Sequence, residues 1–117
     1  MENSWNKVDE ALIEATKEGK VNEVRHLLEN GAFVNTRDED GWTPLMFAAK
    51  SDNVEIIDLL MENGADNELR NIDGNKAIWM AKSPKASIAI FQGIKNQINA
   101  KKATKNNTPT FNNDGRS

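Results

Sequence analysis

Side chains suited to chemistry are scarce in this chain. His26 is its only histidine, and cysteine and tyrosine are absent. A catalytic centre needs a nucleophile, a proton-transfer group and an orienting partner in one place, and a metal centre needs ligands at matched spacing. His26 has no such partners, and no glycine-rich phosphate loop follows a strand-like segment. The densest ionisable run is Asp38-Glu39-Asp40. It could attract a cation, but the glycine spacing and the later bidentate glutamate of an EF-hand loop are missing, so three acids at an exposed turn tip is the expected reading. Lys101, Lys102 and Lys105 could touch anionic lipid or nucleic acid; within a polar segment they read as a solvated end. No catalytic residue, metal site or cofactor is expected from these parts.

The elements that hold these residues fit one domain. A chain of 117 residues can bury enough apolar surface to fold without disulfides or metal. The lack of cysteine suits a reducing compartment, and no apolar run has the length of a signal peptide core or a membrane span, which predicts a cytoplasmic protein. The net charge of −3 hides an asymmetry: residues 1–75 hold 7 Lys/Arg against 17 Asp/Glu, and residues 76–117 hold 8 against 1. A body this acidic repels phosphate backbones and argues against nucleic acid as the main partner.

Internal repetition is the strongest signal. Residues 8–40 laid on 41–73, an offset of 33, agree at eleven positions, among them Leu12/Leu45, Ala15/Ala48, Val21/Val54, Leu27/Leu60 and Gly31/Gly64. About two agreements would arise from background composition. A third copy from Gly74 places Ile78, Trp79, Met80 and Ala81 under Leu45 to Ala48, and Ile88, Ala89 and Phe91 under Ile56, Ile57 and Leu59 once one residue is deleted. Each copy carries two short helical periodicities. Thr43 is a candidate N-cap with Pro44 at the first helical position, Asn30-Gly31 and Asn63-Gly64 are stop signals, and Asp40-Gly41 and Asp73-Gly74 mark hairpin-like crossings. The expected architecture is all-α: about three helix-turn-helix repeats over 8–40, 41–73 and 74–100, within a domain spanning 1–100. A polar tail, 101–117, is expected to be disordered.

The middle copy, from Asp40-Gly41-Trp42-Thr43-Pro44-Leu45-Met46-Phe47-Ala48-Ala49 to Gly64-Ala65-Asp66, closely resembles the ankyrin repeat. The first copy keeps Leu12, Ala15, Gly19, Leu27, Leu28, Gly31 and Ala32 but has Glu10-Ala11-Leu12-Ile13 in place of the family's Thr-Pro-Leu-His tetrad, and the third has Lys76-Ala77-Ile78-Trp79. Met46 replaces the tetrad's histidine, so the hydrogen-bond link that residue makes along the stack should be missing. Terminal repeats have one neighbour and need polar outer faces. Lys7, Asp9 and Glu10 at one end, with Lys95 and Gln97 at the other, fit that role, and Trp5 is expected to cover the first helix pair. His26, in the slot of Leu59, is expected to be a partly packed helix residue.

The resemblance implies a non-catalytic module that binds another protein through hairpin tips and inner helices. Carried over residue by residue, the tips are Glu39, Asp40 and Trp42, then Ile72, Asp73 and Asn75; the inner-helix positions are Lys50 and Ser51, with Lys17 and Glu18 one repeat earlier. Trp42 is either an interface anchor or cover for its own turn. The neighbouring acids suggest a partner with a basic surface patch. No small-molecule substrate is implied. An alternative is a bacterial or viral immunity or effector protein that neutralises or hijacks one target, hinted at by the abundance of Asn, Lys and Ile; a third is an enzyme acting at the acidic loop cluster. By resemblance, Asn35 also occupies a position hydroxylated in some ankyrin proteins, with Glu68 as its counterpart in the next repeat.

Overall fold

Apolar residues recurring at intervals of three and four, punctuated by Gly and Pro, fold among the described residues into six helices of 4 to 23 residues. A computed structural model describes residues 4–106, and the side chains of 7–101. The helices are α1 (Ser4–Lys17), α2 (Val21–Glu29), α3 (Pro44–Lys50), α4 (Val54–Glu62), α5 (Ala77–Met80) and α6 (Pro84–Asn106), with no strand among the described residues. Among these residues an isolated antiparallel bridge joins Arg70 to Lys76.

Packing follows the offset. α1, α3 and α5 form one layer and α2, α4 and α6 the other, each helix contacting the next in its layer and its partner in its own repeat. Val24, Ile57 and Ile90, spaced by 33, are all completely buried. Leu12, Leu45, Ala48 and Leu60 fill the same core, so every repeat closes its apolar side on a neighbour.

The ends of α3 follow its sequence. Thr43 caps it, accepting the Met46 amide on its hydroxyl at 3.3 Å, while the Thr43 amide reaches the Met46 sulfur at 3.4 Å. Met46 thus closes a capping box with a thioether in place of the usual carboxylate or amide. α5 is only four residues long because Ser83 precedes Pro84, which disfavours helix there, and Pro84 then opens α6.

Five expectations change. The third repeat needs no deletion: Ala89 and Ile90, in direct register with Ile56 and Ile57, are buried, whereas Ile88 and Phe91 are 62% and 59% exposed. Matching large residues to large residues misled the alignment, because α6 lies too close to α4 for them. A Cβ on Gly93 would come within 2.6 Å of Met61 Cγ. Asp9 is no solvent-facing cap: it is buried and accepts the Phe33 amide at 2.8 Å. Gln97 likewise turns inward, donating to the Met61 and Ala65 carbonyls at 3.0 and 3.1 Å, where α4 ends. His26 is exposed, since Val21, Val24, Leu27 and Leu28 are the residues of α2 that pack on the core. Finally, the boundary drawn at 100 falls inside α6, which Ala100, Lys101, Lys102, Ala103 and Lys105, good helix formers, carry to Asn106. The remainder of the tail, 107–117, and the side chains of Trp5, Lys102 and Lys105 lie outside the described residues.

Candidate functional site

Two hairpins with one hydrogen-bond plan shape the edge of the stack. In the first, Asp38 Oδ1 accepts the amides of Asp40 and Trp42, both at 2.9 Å. In the second, Asn71 Oδ1 accepts those of Asp73 and Asn75 at 3.0 and 3.1 Å. Short polar side chains that bond backbone two and four residues ahead lock such turns. The hairpins also join each other, Ile72 N–H donating to the Asp40 carbonyl at 2.9 Å. Gly41 permits this contact: its φ is +80°, and a Cβ there would lie 3.2 Å from Asn71 Cα and from Ile72 N.

The tip positions are therefore contiguous. Glu39, Asp40, Asp73 and Asn75 are exposed, and Ile72 is 71% exposed. Trp42 differs from its neighbours in being half-buried, with its ring centroid 4.9 Å from that of Phe47 at 31°. It stands just before the cap Thr43 and Phe47 is the fourth residue of α3, which makes the pair a hydrophobic staple. Lys50 Nζ lies 5.2 Å from the Trp42 ring centre, and Lys17 Nζ is 5.2 Å from that of Phe47. A row of cation, ring, ring, cation thus links the inner helices. Ser51 is the C-cap of α3, at the end farther from the hairpins, and Glu18 pairs with Lys20 at 3.0 Å beyond α1; neither joins the row.

Beside that row an open groove of about 520 Å³ runs between α1 and the first hairpin. Glu10, Glu14 and Lys17 line it from the helix, Asp38, Glu39 and Asp40 from the loop, with Ile13 as apolar lining. Sequence reading missed Phe47, the α1 wall of the groove, and a second aromatic cluster in which Arg70 and Lys76 stand 5.0 and 5.6 Å from the Trp79 ring centre. Lys76 also binds Glu68 at 2.6 Å and holds its carboxyl below the ordinary glutamate range. The staple was detectable from spacing alone; the groove was not, since it joins residues of different repeats. Among the described residues, no group of three or more His, Cys, Asp or Glu could hold a metal ion, and no helix is long and apolar enough to cross a membrane.

Comparison with known proteins settles the fold. The ankyrin-repeat family model, which holds three copies, matches residues 2–71. The chain belongs to the ankyrin-repeat family. Ankyrin repeats are generally protein-interaction modules and not catalytic units. A 2-5A-dependent ribonuclease of Mus musculus is 43% identical over 67 residues, which is 56% of this chain and 9% of the relative. Ankyrin repeat domain-containing protein 40 of the same species is 36% identical over 72 residues, 61% of this chain and 20% of the relative. An ankyrin repeat-containing protein of Schizosaccharomyces pombe is 30% identical over 93 residues, covering 80% of this chain and 43% of its own length. The chain thus spans less than half of each of these ankyrin relatives.

Proposed function

We propose that this ankyrin stack is a non-catalytic cytoplasmic module that binds a protein partner through its hairpin tips and inner helices, and that the partner offers a Lys- or Arg-rich patch. The observation that carries the reading is the acid-walled groove beside the Trp42–Phe47 row. Six carboxylates line it or flank it, from Asp9 to Asp40, so a basic side chain entering there gains attraction while an anion is repelled. Trp42 adds a rigid aromatic surface already held by its staple, so little side-chain entropy is lost when a partner covers it. Glu39, Asp40, Ile72, Asp73 and Asn75 form the rim, and Lys50 and Ser51 extend the face along α3.

Affinity capture from native lysate, followed by mass spectrometry, tests this with three baits. The wild type and Glu55→Gln, a change on the outer helix, should retain the same partner. Glu39→Lys with Asp40→Lys should lose it while circular dichroism stays unchanged. Equal capture by all three baits contradicts the reading.

A further inference from the structure

α6 is apolar on two opposite sides. Ala86, Ala89, Ile90 and Gly93 are buried against the body, whereas Ile88, Phe91 and Ile98 on the far side are 62%, 59% and 49% exposed. With about 3.6 residues per turn, Ile88, Phe91, Lys95 and Ile98 fall on one line roughly 15 Å long, at the alternating three- and four-residue spacing of a helix–helix seam. Outer helices of this stack do not share the feature. The residues that correspond to Ile88, Phe91 and Lys95 are Glu55, Asp58 and Glu62 in α4 and Asn22, Arg25 and Glu29 in α2, all exposed and all polar, while Ala65 and Ala32, the counterparts of Ile98, are buried. Large apolar residues at solvent-facing positions of one helix alone mark a contact surface.

Charge decides what covers it. Residues 76–101 contain five lysines and no acid. Lys95 interrupts the stripe and Lys101 borders it on the flank opposite Gln92 and Asn96, the residues that line the groove toward α4. A second copy of the chain, paired α6 to α6, would bring these lysines together. An anionic bilayer would meet Glu55, Asp58 and Glu62, which point the same way from the adjacent helix, and would have to accept the Lys95 ammonium within the stripe. We infer that the stripe docks an amphipathic helix of a partner protein whose apolar seam is bordered by Asp or Glu facing Lys95 and Lys101. This seam lies on the outer layer and is independent of the hairpin face.

The probes are two synthetic peptides of about three heptads with Leu at a and d, one carrying Glu and the other Lys at e and g. Titrated into ¹⁵N-labelled protein, the Glu peptide should shift amides between 85 and 101 and saturate. Phe91→Ser and Lys95→Glu, both at exposed sites, should each weaken it at least about tenfold, and Trp42→Ala should leave it unchanged. Absence of shifts, or equal binding of the Lys peptide, overturns the inference. So does a Phe91-dependent dimer in sedimentation, or Phe91-dependent binding to phosphatidylserine vesicles without peptide binding.

Discussion

The rings of Trp42 and Phe47 meet at 4.9 Å, tilted by 31°, across the start of α3. One residue lies before the helix cap and the other in its first turn, so the contact fixes the angle at which the hairpin enters the helix. Trp42 therefore staples α3 while its ring centre lies 5.2 Å from Lys50 Nζ.

The staple predicts a coupling. Trp42→Ala and Phe47→Ala should each lower the unfolding free energy, and the double variant should lose about 1 kcal/mol less than their sum, the usual strength of an aromatic pair. Urea unfolding of the four proteins measures this, and strict additivity would show that the rings do not interact.

Gly93 predicts a change of sign. Alanine improves helix propensity by about 1 kcal/mol but overpacks Met61 at a cost of about 1–3 kcal/mol, so Gly93→Ala should destabilise the wild type. In a Met61→Gly background both the Cγ and the Cβ contact are gone, and the same change should stabilise. Thermal melts of the four variants decide it; stabilisation in both backgrounds would mean that α4 and α6 are not this close.

Asp58 sets a pH dependence. Partial loss of solvent on the side toward α6 first, then Glu62 and Glu55, raises its carboxyl above the ordinary aspartate range. A raised acid costs stability wherever it is ionised, so this cost is full at neutral pH, falls as pH drops through the folded value and is gone below the unfolded one. Asp58→Asn should accordingly melt at a slightly higher temperature than wild type at pH 7, with the difference closing toward pH 3. A gap that is constant with pH would remove the electrostatic cause. The effect is small because the side chain is exposed.

Asn35 ties one repeat to the next, its Oδ1 accepting the Asp66 amide at 2.8 Å. Asn35→Ala should cost about 1 kcal/mol and speed exchange of the Asp66 amide. Unchanged exchange at Asp66 would show that the bond is not formed in solution.

Much of this was legible in the sequence, and what was not has a physical cause. The offset of 33, Thr43 as cap and the turns at Gly31, Gly41, Gly64 and Gly74 are local signals, and the structure uses all of them. Gly93 was unreadable because its meaning depends on Met61, which lies in the preceding repeat. Asp9 and Gln97 look like surface residues by type, yet each serves backbone groups that lie 24 and at least 32 residues away. At the candidate site the tip residues could be named in advance, since repeats fix their places. Their coupling through Phe47 and the acid groove could not, because both arise where α1, the hairpin and α3 converge.

The most direct test of the central claim is hydrogen–deuterium exchange on the complex with the captured partner. Slowed exchange confined to 39–42, 47–51 and 72–75, with α2 and the outer face of α4 unchanged, is the expected footprint. Protection on α2 and α4 with the hairpins as fast as in the free protein would contradict it.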